Sequence, residues 1–162
     1  MGHLRKLGAA AAATAIIGSG ITAGTASASI FHNGPGGGFQ TSTTPCTGIS
    51  PNVIDLPYSG RISVSQSNPL RSGYADIRID ANMSVWGYTN LIDVRWRNLG
   101  TGKTGQLRGQ LGVRLSDGGT MKTFEGVNTG PGRVRIEFRP TNRGALLTTP
   151  ATSQCSDVFT IR

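Results

Sequence analysis

The sequence predicts an all-β protein: an antiparallel β-sandwich of seven to eight strands, immunoglobulin-like or jelly-roll in kind, closed by one disulfide. Three observations carry this expectation. Apolar and polar residues alternate with a period of two from about residue 60 onward. Turn-forming clusters recur at a spacing of roughly ten residues. Beyond the N-terminal region, no segment longer than one turn keeps the 3.6-residue period of an amphipathic helix. A length of 162 residues suits one domain with one core.

Taken in order, residues 1–28 read as a secretory signal. MGHLRKLG supplies Arg5 and Lys6, AAAATAIIGSGITAGTA runs on without a charge, and ASA at Ala26 to Ala28 offers small residues to a signal peptidase. Gly and Thr interrupt the apolar run, so no transmembrane span is expected after cleavage. The expected location is secreted or envelope-associated. Residues 29–52, SIFHNGPGGGFQTSTTPCTGISPN, are dense in Gly, Pro, Ser and Thr and read as a flexible lead, with Phe31 and Phe39 as isolated aromatics. The sandwich domain is then expected over 53–162.

Within that domain RISVSQS sets Ile62 and Val64 against polar neighbours, and YADIRID does the same with Ala75, Ile77 and Ile79. LIDVRWRN puts Ile92, Val94 and Trp96 opposite Asp93, Arg95 and Arg97. QLRGQLGVRLS sets Leu107, Leu111, Val113 and Leu115 against Arg108, Gln110 and Arg114; GRVRIEFR sets Val134, Ile136 and Phe138 against Arg133, Arg135, Glu137 and Arg139. These are half-buried antiparallel strands. SNPL, RSG, NLGTGKTG, SDGG, NTGPG and TNRG punctuate them. LLTTPATS, near the C-terminus, fits either a further strand or an ordered loop.

Cys46 and Cys155 are the two cysteines. In an exported chain they are expected to pair, tying the start of the domain to its last strand. There is no C-x-x-C, and His32 is the one histidine after the leader, so neither a metal site nor a cofactor is expected.

The stretch most suggestive of chemistry is NLGTGKTGQ, Asn98 to Gln106, which contains the GKT of phosphate-binding loops. Such a loop needs a glycine five residues before Gly102, where this chain has Arg97, and a helix after the loop, where QLRGQLGVRLS alternates like a strand. It is therefore expected to be a hairpin turn, with Gly100, Gly102 and Gly105 free to take positive φ.

The formal charge of +8 favours acidic partners. If 92–98 and 106–116 pair, Arg95, Arg97, Arg108 and Arg114 share one side of a sheet with Lys103 at its tip, and Arg133 and Arg135 line a further strand. This is a candidate platform for an anionic envelope polymer or membrane surface. The alternative is an ordinary solvent face, where arginine also discourages edge aggregation.

Trp86 and Tyr88 fit either a sugar-stacking platform or the core, and Trp96 is in phase with the core. Nucleic acid is not an expected partner, because basic residues are not interleaved with stacking aromatics and no recognition helix is present. A histidine-dependent triad has no histidine in the domain. Asp76, Asp80, Asp93, Glu125 and Glu137 are the candidates for carboxylate catalysis, and Asp76 with Asp80 for a hard cation. Asn82-Met83-Ser84 fits a glycosylation sequon.

The Ala- and Gly-rich leader, the arginine bias, the cysteine pair and the glycine-punctuated strands resemble the small secreted β-sandwich proteins of actinobacteria. The resemblance rests on the leader and the strand rhythm and carries no site residue. It implies an exported or envelope protein, of a kind typically without assigned activity and often noticed as an antigen. The leading expectation is thus a non-enzymatic protein that engages an anionic envelope component through its arginines. A protein-recognition module (effector, inhibitor or surface subunit) is the alternative, and a small carboxylate-dependent hydrolase the third.

Overall fold

Alternation of the kind seen in LIDVRWRN buries one face of a strand, and two such faces must meet to leave water. A computed structural model describes residues 30–34, 37–52, 54–66, 71–117, 120–150 and 155–162, and in it that meeting is a two-sheet sandwich. The expected leader, 1–28, lies outside the described residues.

The first sheet takes β1 (Ile30–Gly34), β2 (Gly37–Thr41), β4 (Tyr58–Ser65), β5 (Tyr74–Ala81) and β8 (Thr120–Asn128) in that spatial order, with β3 (Cys46–Gly48) also on β4. In the second, β10 (Thr148–Pro150) and β11 (Cys155–Ile161) both pair with β9 (Gly132–Arg143), followed by β6 (Tyr88–Asn98) and β7 (Thr104–Val113). Every pairing is antiparallel.

The core sits where the alternation puts it. Ile62, Val64, Ile77 and Ile79 of the first sheet face Ile92, Val94, Val134, Ile136, Phe138 and Phe159 of the second, all buried. Trp96 also points inward. Its ring lies across Gly105, its partner on β7, where a Cβ would stand 2.4 Å from a ring atom. Gly105 is thus a clearance for tryptophan. Of the three glycines expected to take positive φ in this hairpin, Gly102 alone does so. Toward the β6 N-terminus the core turns polar, with buried Tyr58, Tyr88, Asn90 and Asn142, the two asparagines joined at 2.6 Å. Burial, and then the neighbouring Tyr88, push the Tyr58 hydroxyl up, against a smaller pull down by Asn90. Burial, and then Asp55, push the Tyr88 hydroxyl up as well, so both phenols stay neutral.

Seven longer strands, β4 to β9 and β11, make up the expected sandwich, and β1, β2, β3 and β10 are short additions to it. Two expectations need correction. The 29–52 segment is not a free lead: Phe39–Thr41 pairs with Ser63–Ser65, and Cys46–Gly48 with Tyr58–Gly60. It is tied down by polar bonds that leave no hydrophobic period. Gln40 exchanges two hydrogen bonds with the backbone of Thr160, at 2.7 and 2.9 Å, and Thr43 donates its N–H to buried Asp157 at 3.0 Å. Finally Leu115, expected inward, is 54% exposed, because β7 ends at Val113 and a 3-10 turn, Leu115–Asp117, follows.

The cysteines form the expected disulfide, Cys46 in the first sheet to Cys155 in the second, with Cα atoms 4.9 Å apart. It spans 109 residues of sequence. Replacing both cysteines by alanine is expected to lower the unfolding free energy by about 4 kcal/mol, measured by urea denaturation against the oxidised protein.

Candidate functional site

β6 is paired on both sides over its length, so its outward residues have cross-strand neighbours in two directions. Arg97 stands between Thr104 of β7 and Arg135 of β9; Arg95 between Gln106 and Glu137; Asp93 between Arg108 and Arg139. Arg133 and Arg143 continue the same face toward the two ends of β9. Seven arginines (Arg95, Arg97, Arg108, Arg133, Arg135, Arg139, Arg143) thus share one open face with two carboxylates, Asp93 and Glu137.

The carboxylates are unevenly placed. Asp93 meets Arg95 at 3.6 Å and Glu137 meets Arg139 at 3.5 Å, each along its own strand. Arg108 leans on Gln106 at 3.4 Å. The row of Arg97 and Arg135 holds no carboxylate, and neither forms a salt bridge among the described residues. Two like charges directly opposite on a sheet, Cβ atoms about 5 Å apart, destabilise it. This row borders an open groove of about 700 Å3, lined by Arg95, Arg97, Leu99, Gln106, Arg135 and Glu137.

Of the basic residues expected in the patch, Arg95, Arg97, Arg108, Arg133 and Arg135 come together on this face. Lys103 and Arg114 do not. The Lys103 ammonium turns across the edge of the sandwich and donates to the Asn128 carbonyl at 2.7 Å and its side-chain oxygen at 3.0 Å, 5.9 Å from the Trp96 ring centroid. It clips β7 to β8. Arg114 lies just past the end of β7, at the end of the sheet that Arg143 occupies, and about 20 Å along an extended chain from Arg108 and so away from the groove. Arg139 and Arg143 were not among the expected site residues; both continue the period of two that marks Arg133 and Arg135.

The aromatic platform does not form. Tyr88 is 7% exposed and inward, whereas Trp86 is 71% exposed. Gly87 between them, at φ 74°, breaks the alternation that would have put both rings on one face. The carboxylates do not converge either. Asp93 is on the outer face of the second sheet, Asp76 and Asp80 on that of the first, four residues or about 13 Å apart, wider than a glycosidase pair. Asp76 accepts the Gly126 N–H, and Asp80 pairs with Arg78 at 2.6 Å. Among the described residues there is no group of three His, Cys, Asp or Glu able to hold a metal. Asn82 of the sequon ties two loops, accepting from the Ser59 N–H and donating to the Pro57 carbonyl.

One carboxylate organises a region that the sequence did not single out. Asp55 accepts bonds from Ser84, from Asn52 at 3.0 Å, and from the N–H groups of Val85 at 2.9 Å and Leu56 at 2.8 Å. Asn52 in turn donates to the Gly87 carbonyl. The loops 49–57 and 82–87 are so bolted together. Burial pushes the Asp55 pKa up, but the Ser84 and Asn52 side chains and these two N–H groups outweigh it and hold the carboxyl at about 2.

No family model, no curated protein and no solved structure matches the chain.

Because the folded Asp55 value lies below the ordinary 3.8, its stabilisation is complete above about pH 4 and is lost as pH falls toward about 2. Asp55→Asn, which cannot accept at both oxygens, is expected to cost about 1–3 kcal/mol near pH 7. The gap to the wild type should shrink toward pH 2 in urea denaturation.

Proposed function

We propose that this protein is a binding protein for an anionic envelope polymer, which it holds on the arginine face of its second sheet. The observation that carries the reading is the Arg97–Arg135 row: two guanidinium groups opposite each other, without a carboxylate in the row, beside an open groove. A merely soluble surface has no use for that repulsion. An anion bridging the two would relieve it and accept charge-assisted, bidentate bonds. Arg95 and Arg133 flank the row, so a chain carrying regularly spaced carboxylates or phosphates would meet several guanidinium groups in succession.

The setting agrees with this reading. A fold closed by a disulfide fits an oxidising compartment, where acidic surface polymers lie. Among the described residues no helix is long and apolar enough to cross a membrane.

The test is retention of the disulfide-bonded protein on an immobilised acidic polysaccharide across a salt gradient. Retention should fade as salt screens the charges. Arg97→Glu with Arg135→Glu should weaken it at low salt at least about ten-fold, at about 1 kcal/mol per lost charge contact. The single Arg135→Glu should meanwhile raise folding stability by about 0.2–1 kcal/mol, because it replaces a repulsive cross-strand pair by an attractive one. Undiminished retention in the double variant would end the proposal.

A further inference from the structure

The end of the sandwich away from the Arg97–Arg135 groove carries most of the molecule's exposed apolar bulk. Of twelve large hydrophobic residues exposed among those described, eight lie on the three loops at that end: Ile49, Ile54 and Leu56; Met83, Val85 and Trp86; Leu146 and Leu147. Singly exposed apolar residues are normal, but a concentration of this kind marks an interaction site. Ile54, Trp86 and Leu146 converge on one apolar cleft of about 350 Å3, floored by Pro51 and Asn52.

The loops are built to stand rigid. Asp55 links the first two, and Gly144 packs so closely on Pro51 and Asn52 that a Cβ there would fall 2.8 Å from the Asn52 oxygen. The Asp55 carboxylate also satisfies backbone N–H groups that an apolar setting would leave wanting. It is the one carboxylate carried by the three loops. Arginines border them: Arg143 directly precedes Gly144, and the Arg114 chain lies against Gly87.

We infer that this end inserts Ile54, Trp86 and Leu146 into the interfacial layer of an anionic lipid bilayer, with Arg114 and Arg143 on the headgroups. The charge around the apolar tip complements an anionic surface. The shape also favours lipid over a folded partner. Ile54 is 80% and Leu146 86% exposed, so each projects almost free from its own loop. A protein surface would have to match those projections, whereas the headgroup–acyl boundary accepts them without a template. Tryptophan favours this depth, and insertion of side chains alone keeps the loop backbone out of hydrocarbon. The inference is independent of the arginine groove, which lies at the other end of β6.

The experiment takes the full disulfide-bonded chain and vesicles of phosphatidylcholine, alone or mixed with phosphatidylglycerol. Binding is read by cosedimentation and by tryptophan emission; buried Trp96 gives a constant background, so a blue shift and protection from acrylamide report Trp86. The wild type should bind mixed vesicles and show both signals. Ile54→Ser, Trp86→Ser and Leu146→Ser combined should bind at least about ten-fold more weakly. All three sites are exposed, so the circular dichroism and urea midpoint of the variant should match the wild type. Because each protein carries the same N-terminal segment, the difference between them reads the loops. Arg97→Glu with Arg135→Glu should keep the Trp86 shift, which separates failure here from failure of the polymer reading. Vesicle binding without a Trp86 shift, undiminished binding by the triple variant, or no vesicle binding at all would overturn the inference. So would a wild-type dimer that the triple substitution dissolves, since the loops would then be a protein interface.

Discussion

The register of β6 is the constraint on which the rest of the molecule leans. This strand pairs with β7 on one side and β9 on the other without a bulge, so for eleven residues its parity is unbroken. Ile92, Val94 and Trp96 fill the core only if Asp93, Arg95 and Arg97 face out. A slip of one residue would exchange those sets, burying guanidinium groups and wetting the tryptophan. The clearance at Gly105 favours the same alignment, because a slip of one residue would set Thr104 or Gln106, each with a Cβ, against the Trp96 ring. Core packing and surface charge are therefore one decision.

From that decision the two ends of the sandwich acquire different characters. At the C-terminal end of β6 the face is cationic, and the hairpin above it is drawn to β8 through Lys103 and Asn128. At the N-terminal end the core itself becomes polar, and the loops beyond it turn their apolar residues outward. Asp55 is the pivot of that inversion. Its carboxylate fixes loop backbone that would otherwise need water, and so frees the side chains of Val85, Trp86 and Ile54 for the surface.

Much of this was legible in the sequence, and the remainder was not for identifiable reasons. The strands carrying Ile92, Val94 and Trp96, or Val134, Ile136 and Phe138, announce themselves because a half-buried strand has no other way to be written. The hairpin of β6 and β7 follows from its turn. That β9 lies on the other side of β6, and so brings Arg135 opposite Arg97, depends on contacts across nearly forty residues of sequence, which no local pattern records. The segment around Gln40 and Thr43 is invisible to periodicity because its anchors are hydrogen bonds to Thr160 and Asp157. β8 is blurred by a bulge against Ala75 and Ile77. Trp86 and Tyr88 mislead because Gly87 resets the parity between them. The apolar loop cluster has no sequence signature, since its three parts meet only in the folded molecule.

The placement of the disulfide has a consequence for the order of events in folding. Cys46 belongs to the first part of the sandwich and Cys155 to its last strand, and Gln40 and Thr43 wait for partners on that same strand. A chain delivered N-terminus first can assemble β4 to β9 early, but the β9 edge that β11 covers stays open until Cys155–Ile161 arrives. Long-range closure of this kind is slow. During that interval the unpaired strand edge is the part of the chain most exposed to a wrong neighbour. The covalent bond then acts as a latch, set last, that makes the finished edge permanent.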